Sequence, residues 1–186
     1  MKTISIIYFT GSGTTEKIAT AIAQGIQNHS ETKVNTISIN GDDIIKGRYK
    51  NDEVMSILET SDAIIFGSPT YMAGVSAQFK AFADATVNSW VQQKWSNKLA
   101  AGFTISGTPS GDKLNTLQYL QSFAMQHGMI WIGTGEMPAQ PNGINRLGSW
   151  LGLMAESAQD GTNPINADDL FAAEVFGKRI ATVVNQ

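Results

Sequence analysis

A chain of 186 residues, 42% hydrophobic and 16% charged, has the apolar content for one globular domain with a core and too little length for two full ones. Its formal net charge is −3, and its thirteen Lys and Arg residues are scattered, so no basic stripe is available for a phosphate backbone and nucleic acid is excluded as a partner. With no cysteine, disulfides, thiolate metal sites, iron–sulfur clusters and Cys nucleophiles are excluded together, and any redox chemistry has to come from a bound organic cofactor.

His29 and His127 are far apart in sequence and give no local ligand pair, so no metal site is expected. No apolar run approaches the ~20 residues of a membrane span, and Met1-Lys2-Thr3 leads directly into a strand-like segment. The expectation is a cytoplasmic protein with no membrane partner.

Residues 3–9 (TISIIYF) are β-branched and aromatic and nearly all apolar, as in a parallel strand covered on both faces. From Thr14 onward, Ile18, Ile22 and Ile26 recur at four-residue steps with Ala19, Ala21 and Ala23 between them, the stripe of a helix. Residues 33–39 mix Val34, Ile37 and Ile39 with polar neighbours and suit a strand at the sheet edge.

A short helix near 52–60 precedes a strand at 63–67. A helix at 76–88 precedes a strand at 99–105, and a helix at 112–126, carrying Leu114, Leu117, Leu120 and Ala124, leads through Gly128 into a fifth strand at 129–132. Residues 136–165 contain Pro138, Pro141, Pro164, Gly143, Gly148, Gly152 and Gly161 without a sustained period, and a loop of that length in a compact domain is expected to be functional. A last helix at 168–184 would bury Leu170, Phe171, Phe176, Ile180 and Val184.

Strands alternating with helices, joined by right-handed crossovers, make a doubly wound α/β domain. Ligands bind such sheets outside the carboxyl ends of the strands, where strand order reverses. The loops after strands one, three and four are therefore the candidate site.

After strand one, Thr10-Gly11-Ser12-Gly13-Thr14-Thr15 opens a helix. Glycines let the backbone approach a phosphate, hydroxyls donate to it, and the helix N-terminus adds free N–H groups and a dipole. No lysine follows the glycines, which disfavours a triphosphatase, and Glu16 stands where a dinucleotide fingerprint has its third glycine. The cradle suits a monophosphate.

After strand three come Gly67-Ser68-Pro69-Thr70-Tyr71-Met72-Ala73-Gly74, where Pro69 stiffens the backbone and Tyr71 and Met72 offer flat or polarizable surface to a ring. After strand four, Ile105 leads into Ser106-Gly107-Thr108-Pro109-Ser110-Gly111, rich in backbone and hydroxyl groups for the edge of a heterocycle, with Asp112 placed to cap the next helix. The three loops describe a site for a phosphate joined to a flat polar ring.

At these residues the chain resembles the flavodoxin superfamily, whose phosphate loop is matched by Thr10, Ser12, Gly13 and Thr15. Residues 64–70, 78–84, Trp90, 98–100 and 127–129 are similar to the tryptophan-repressor-binding-protein type of NAD(P)H:quinone oxidoreductase. The resemblance implies a five-stranded parallel sheet of order 2-1-3-4-5 between two helical layers. It further implies FMN with its phosphate on residues 10–15 and its ring against residues 69–74 and 105–111, His127 near the reactive face, and Trp90 against the substrate. Departures stand at Ser12, Ala73, Pro109 and Ser110, where that type carries an aromatic or more glycine.

The implied cycle takes hydride from NAD(P)H and passes two electrons to a quinone in the same cleft, with the flavin performing the chemistry and His127 able to donate a proton to the quinol oxygen. An electron carrier is the alternative, although carriers of that kind are strongly acidic and −3 is mild. A phospho-receiver domain is excluded because Tyr8, Phe9 and Thr10, not aspartates, end strand one. The long loop and the segment from Trp90 to Trp95 add apolar surface around the cleft, which predicts a homo-dimer or homo-tetramer.

Overall fold

A computed structural model of the chain describes residues 1–158 and 164–186. In chain order it contains β1 (Thr3–Tyr8), α1 (Thr14–Gln27), β2 (Lys33–Ser38), a small hairpin of β3 (Ile44–Ile45) and β4 (Arg48–Tyr49), α2 (Asp52–Thr60), β5 (Ala63–Tyr71), β6 (Gly74–Val75), α3 (Ala77–Ala85), α4 (Val87–Val91), β7 (Leu99–Ser106), α5 (Lys113–Gln126), β8 (Ile130–Trp131), β9 (Leu153–Glu156) and α6 (Ala167–Val184).

The main sheet has the order β2-β1-β5-β7-β8 with every neighbouring pair parallel. This is the flavodoxin-like order expected from the sequence, with β2 at one edge. Continuous apolar runs build the central strands because both of their faces are covered. Ile4, Ile6, Tyr8, Ile65 and Phe103 pack under α1 and α6, while Ile7, Ile64, Phe66 and Ala100 pack under α2, α3 and α5.

The fifth strand position is divided. β8 pairs with the beginning of β7 (Leu99↔Ile130), the chain leaves the edge, and β9 returns to pair, again parallel, with its end (Phe103↔Leu153 to Ser106↔Glu156). The stretch 136–165 thus contains a strand where only loop was expected; residues 159–163, Gly161 included, lie outside the described residues.

Three further expectations change. The helix expected at 76–88 breaks at Thr86, whose hydroxyl bonds back to the Ala83 carbonyl at 2.7 Å. Leu114 and Phe171, both placed in buried stripes, are exposed. On α5 the inward face runs through Lys113, Thr116, Leu117, Leu120, Phe123 and Ala124, so Lys113 takes the position expected of Leu114. The strand expected at 63–67 continues to Tyr71; Pro69 is tolerated there because β1 has already ended, its last partner being Gly67. Among the described residues no helix is long and apolar enough to cross a membrane.

Candidate functional site

β1, β5 and β7 end on the same side of the sheet, and their three following loops meet there. Gly13 caps α1 with φ +82°, a left-handed conformation that glycine adopts without strain. Its N–H donates to the Thr10 hydroxyl at 2.9 Å, and Ser12 and Thr14 share a hydroxyl contact at 3.3 Å. With glycine at the cap, α1 has no side-chain capping bond, and its first N–H groups point their partial positive charge at the loop.

Thr15 carries the most informative atom in this cradle. It is fully buried, and its Oγ1 has no hydrogen-bond partner among the described residues. A buried hydroxyl without a partner costs ~1–3 kcal/mol, a debt that an anion in the cradle removes. The residues present therefore fit a phosphate.

In the second loop, Thr70 and Tyr71 pair with Val75 and Gly74 of β6, and the turn between them holds Met72 (φ +46°) and Ala73 (φ +65°) in the left-handed region. Two consecutive positive φ values are the signature of a type I′ turn, in which neither residue type is favoured. Met72 is wholly exposed at its tip. Tyr71 lies across the first loop, so close that a Cβ on Gly11 would strike its hydroxyl. Beneath the turn, Thr70 Oγ1 contacts the hydroxyls of Thr104 and Thr116, each at 2.8 Å.

The third loop follows Ile105, which is buried, and is increasingly exposed from Ser106 and Gly107 to Thr108, Pro109 and Ser110. Gly111 and Asp112 both have φ +52°, and any side chain at 111 would collide with the Ser106 hydroxyl. Asp112 occupies the N-cap position of α5 but its side chain makes no capping bond. The loop is held instead by Lys113, whose Nζ donates to Ser106 Oγ at 2.9 Å and to the Thr108 carbonyl.

His127 and Trp90 are not brought into this cluster within one chain. α5 begins at the third loop and ends at His127, a span of ~20 Å at 1.5 Å per residue. His127 is buried, packs against Trp95 with ring centroids 4.4 Å apart and planes tilted by 31°, and has Nε2 2.9 Å from the Thr86 hydroxyl. Burial alone pushes its pKa down to about 4, so the ring is uncharged at neutral pH. Trp95 is core; Trp90 is partly exposed and borders, with Tyr119 and His127, a cleft of about 370 Å³ at the opposite pole.

Residue types alone did not reveal Lys113, Arg146, Glu156 and Asp169. Arg146, from the segment between β8 and β9, donates to Asp169 at 2.9 and 2.8 Å and to Glu156 at 2.9 Å. The one local signal was a lysine in a helix's first turn, where the dipole disfavours a cation.

Comparison with known proteins agrees with this fold. A family model for NADPH-dependent FMN reductase matches residues 4–141. The chain is 33% identical to the flavodoxin FldP of Pseudomonas aeruginosa, over 97% of this chain and 96% of that protein. It is 32% identical to an NAD(P)H dehydrogenase (quinone) of Archaeoglobus fulgidus, over 100% and 99%. A solved WrbA-like flavodoxin from Agrobacterium tumefaciens superposes with a TM-score of 0.79 at 35% identity, covering 100% of this chain and 99% of that one.

Proposed function

Because the chain belongs to the NADPH-dependent FMN reductase family, we propose that it is an FMN-dependent oxidoreductase that takes hydride from NAD(P)H and reduces a quinone by two electrons in a ping-pong cycle. The observation that carries the reading is the buried, unpartnered Thr15 hydroxyl at the uncapped N-terminus of α1. It is an anion site left with a donor to spare.

FMN supplies the redox chemistry when bound; this chain's residues bind and orient it. Thr10, Ser12, Gly13, Thr14 and Thr15 hold the phosphate. Pro69, Thr70, Tyr71, Met72, Ala73 and Gly74 line one side of the ring, and Ile105, Ser106, Gly107, Thr108, Pro109, Ser110 and Gly111 supply backbone and hydroxyl groups to its polar edge.

Trp90 and His127 can approach a ring bound there only from a second copy, since the length of α5 separates them within one chain. A homo-dimer or homo-tetramer is therefore part of this reading. His127 enters it as a neutral ring supporting the wall of the cleft, because its Nε2 is engaged by Thr86, and solvent supplies the quinol proton.

The test is anaerobic mixing of the FMN-loaded protein with NADH or NADPH, then with benzoquinone. Rapid bleaching of the flavin band and its recovery on adding quinone are expected. Failure of both nucleotides to bleach it would leave the second reading, an FMN electron carrier, which the similarity to the Pseudomonas flavodoxin favours. Protein that neither carries nor binds FMN would overturn both.

A further inference from the structure

Lys113 has no part in the reading above, yet it is among the largest fully buried side chains of the protein. It begins α5, where the helix dipole already places partial positive charge, and burying an ammonium there is costly unless something uses it. Its bonds go to Ser106 Oγ and the Thr108 carbonyl, closing the third loop over the ammonium.

Among the described residues, the charged groups around it are Arg146, Glu156 and Asp169. Formally the four cancel, but the two carboxylates are engaged elsewhere. Arg146 bonds both, and Asp169 also accepts the Glu156 N–H at 2.8 Å. The hydrogen-bond partners of Lys113 are both neutral and both belong to the loop, so its N–H donors are directed there. Burial pulls its pKa below the ordinary lysine value, and Glu156 and Asp169 oppose that pull.

We infer that Lys113 positions the third loop and supplies the positive charge beneath it, and that this charge makes the site favour two-electron-reduced FMN over oxidised FMN. A hydride brings two electrons and one proton, so a ring that accepts one gains a negative charge, and the nicotinamide that gives it up leaves as the cation. A cation one loop's thickness away lowers the energy of the reduced ring and leaves the oxidised, neutral ring nearly unaffected. The inference rests on the FMN reading above and adds to it the residue that sets the balance between the two states.

The experiment is anaerobic titration of apo-protein with oxidised FMN and with dithionite-reduced FMN, for the wild type and for Lys113→Met, Lys113→Arg and Glu156→Gln. Lys113→Met should weaken binding of reduced FMN about tenfold more than of oxidised FMN, equivalent to a two-electron potential lower by about 30 mV. Lys113→Arg should keep the wild-type ratio. Glu156→Gln, which removes a neutralising charge, should shift the ratio the other way.

Equal losses for both forms in Lys113→Met would reduce the lysine to a structural clamp and overturn the inference, as would an unmoved ratio in Glu156→Gln. If Lys113→Met does not fold, Lys113→Gln, which keeps an N–H donor for the loop without the charge, decides in its place, since a structural role predicts no change of ratio. Wild-type protein that fails to bind oxidised FMN would overturn the FMN reading itself, a result distinct from normal binding with an unmoved ratio.

Discussion

The Thr86 hydroxyl gives its proton to the Ala83 carbonyl at 2.7 Å, so toward His127 Nε2, 2.9 Å away, it can only accept. That fixes the imidazole as the Nε2–H tautomer and leaves Nδ1 bare, buried and without a partner among the described residues. A second proton would have to enter a site with nothing to receive it.

Stability should therefore depend on pH through His127. Its folded pKa, about 4, lies below the ordinary 6.5, so its contribution is complete above pH 6.5 and is lost as pH falls toward 4, when the unfolded chain takes the proton first. The loss amounts to about 3 kcal/mol. His127→Gln keeps an N–H for Thr86 but does not titrate, so its urea midpoint should fall less between pH 7 and pH 4 than that of the wild type. Parallel midpoint curves would show that the ring is already open to protons.

Thr15→Val should separate ligand binding from folding. The substitution keeps the shape and removes a hydroxyl that has no partner, so the apo-protein should be unchanged or more stable by about 1 kcal/mol. FMN affinity should fall about tenfold or more through loss of a charge-assisted hydrogen bond. Urea denaturation and flavin-fluorescence titration measure the two effects, and a variant that lost both stability and affinity would contradict the anion-site reading.

The turn at Met72 and Ala73 holds two side chains at positive φ, at ~1–2 kcal/mol per residue. Ala73→Gly removes one of them and should raise the free energy of unfolding by about 1 kcal/mol, read from urea denaturation. If the turn must keep its shape to meet the ring, FMN affinity should fall in the same variant, because glycine frees the apo loop. A variant with lower stability would mean that the turn is not strained at Ala73.

Local signals were legible in the sequence and distant ones were not. The Thr10–Thr15 cradle is contiguous, and the central strands declare themselves as unbroken apolar runs. β9 does not, because Leu153 and Ala155 are its only buried residues, set between Gly152 and Glu156, and it becomes a strand only by pairing with Phe103–Ser106. Lys113 was hidden by a stripe that fitted Leu114 equally well, and its surroundings are assembled from residues 146, 156 and 169. The distance from the third loop to His127 was implicit in the order of elements, since one helix joins them; resemblance placed the residue near the reactive face, whereas within one chain it stands at the far end of α5.

The segment between β8 and β9 is pinned by Arg146, and that pin should show a characteristic pH dependence when broken. Arg146→Met would leave Asp169, 2% exposed, with the Glu156 N–H as its only partner among the described residues, at a cost of about 3 kcal/mol near neutral pH. Burial already raises the Asp169 pKa despite the arginine; without Arg146 it rises further, and a group with a raised folded pKa loses stability as pH increases through that value. The deficit of Arg146→Met relative to wild type should therefore shrink as pH is lowered from 8 to 5, and adding Asp169→Asn should restore part of it at pH 8. A deficit below about 1 kcal/mol at both pH values would place this pair among solvent-screened surface contacts, and β9 would then owe its place at the sheet edge to backbone pairing and to Leu153 and Ala155 alone.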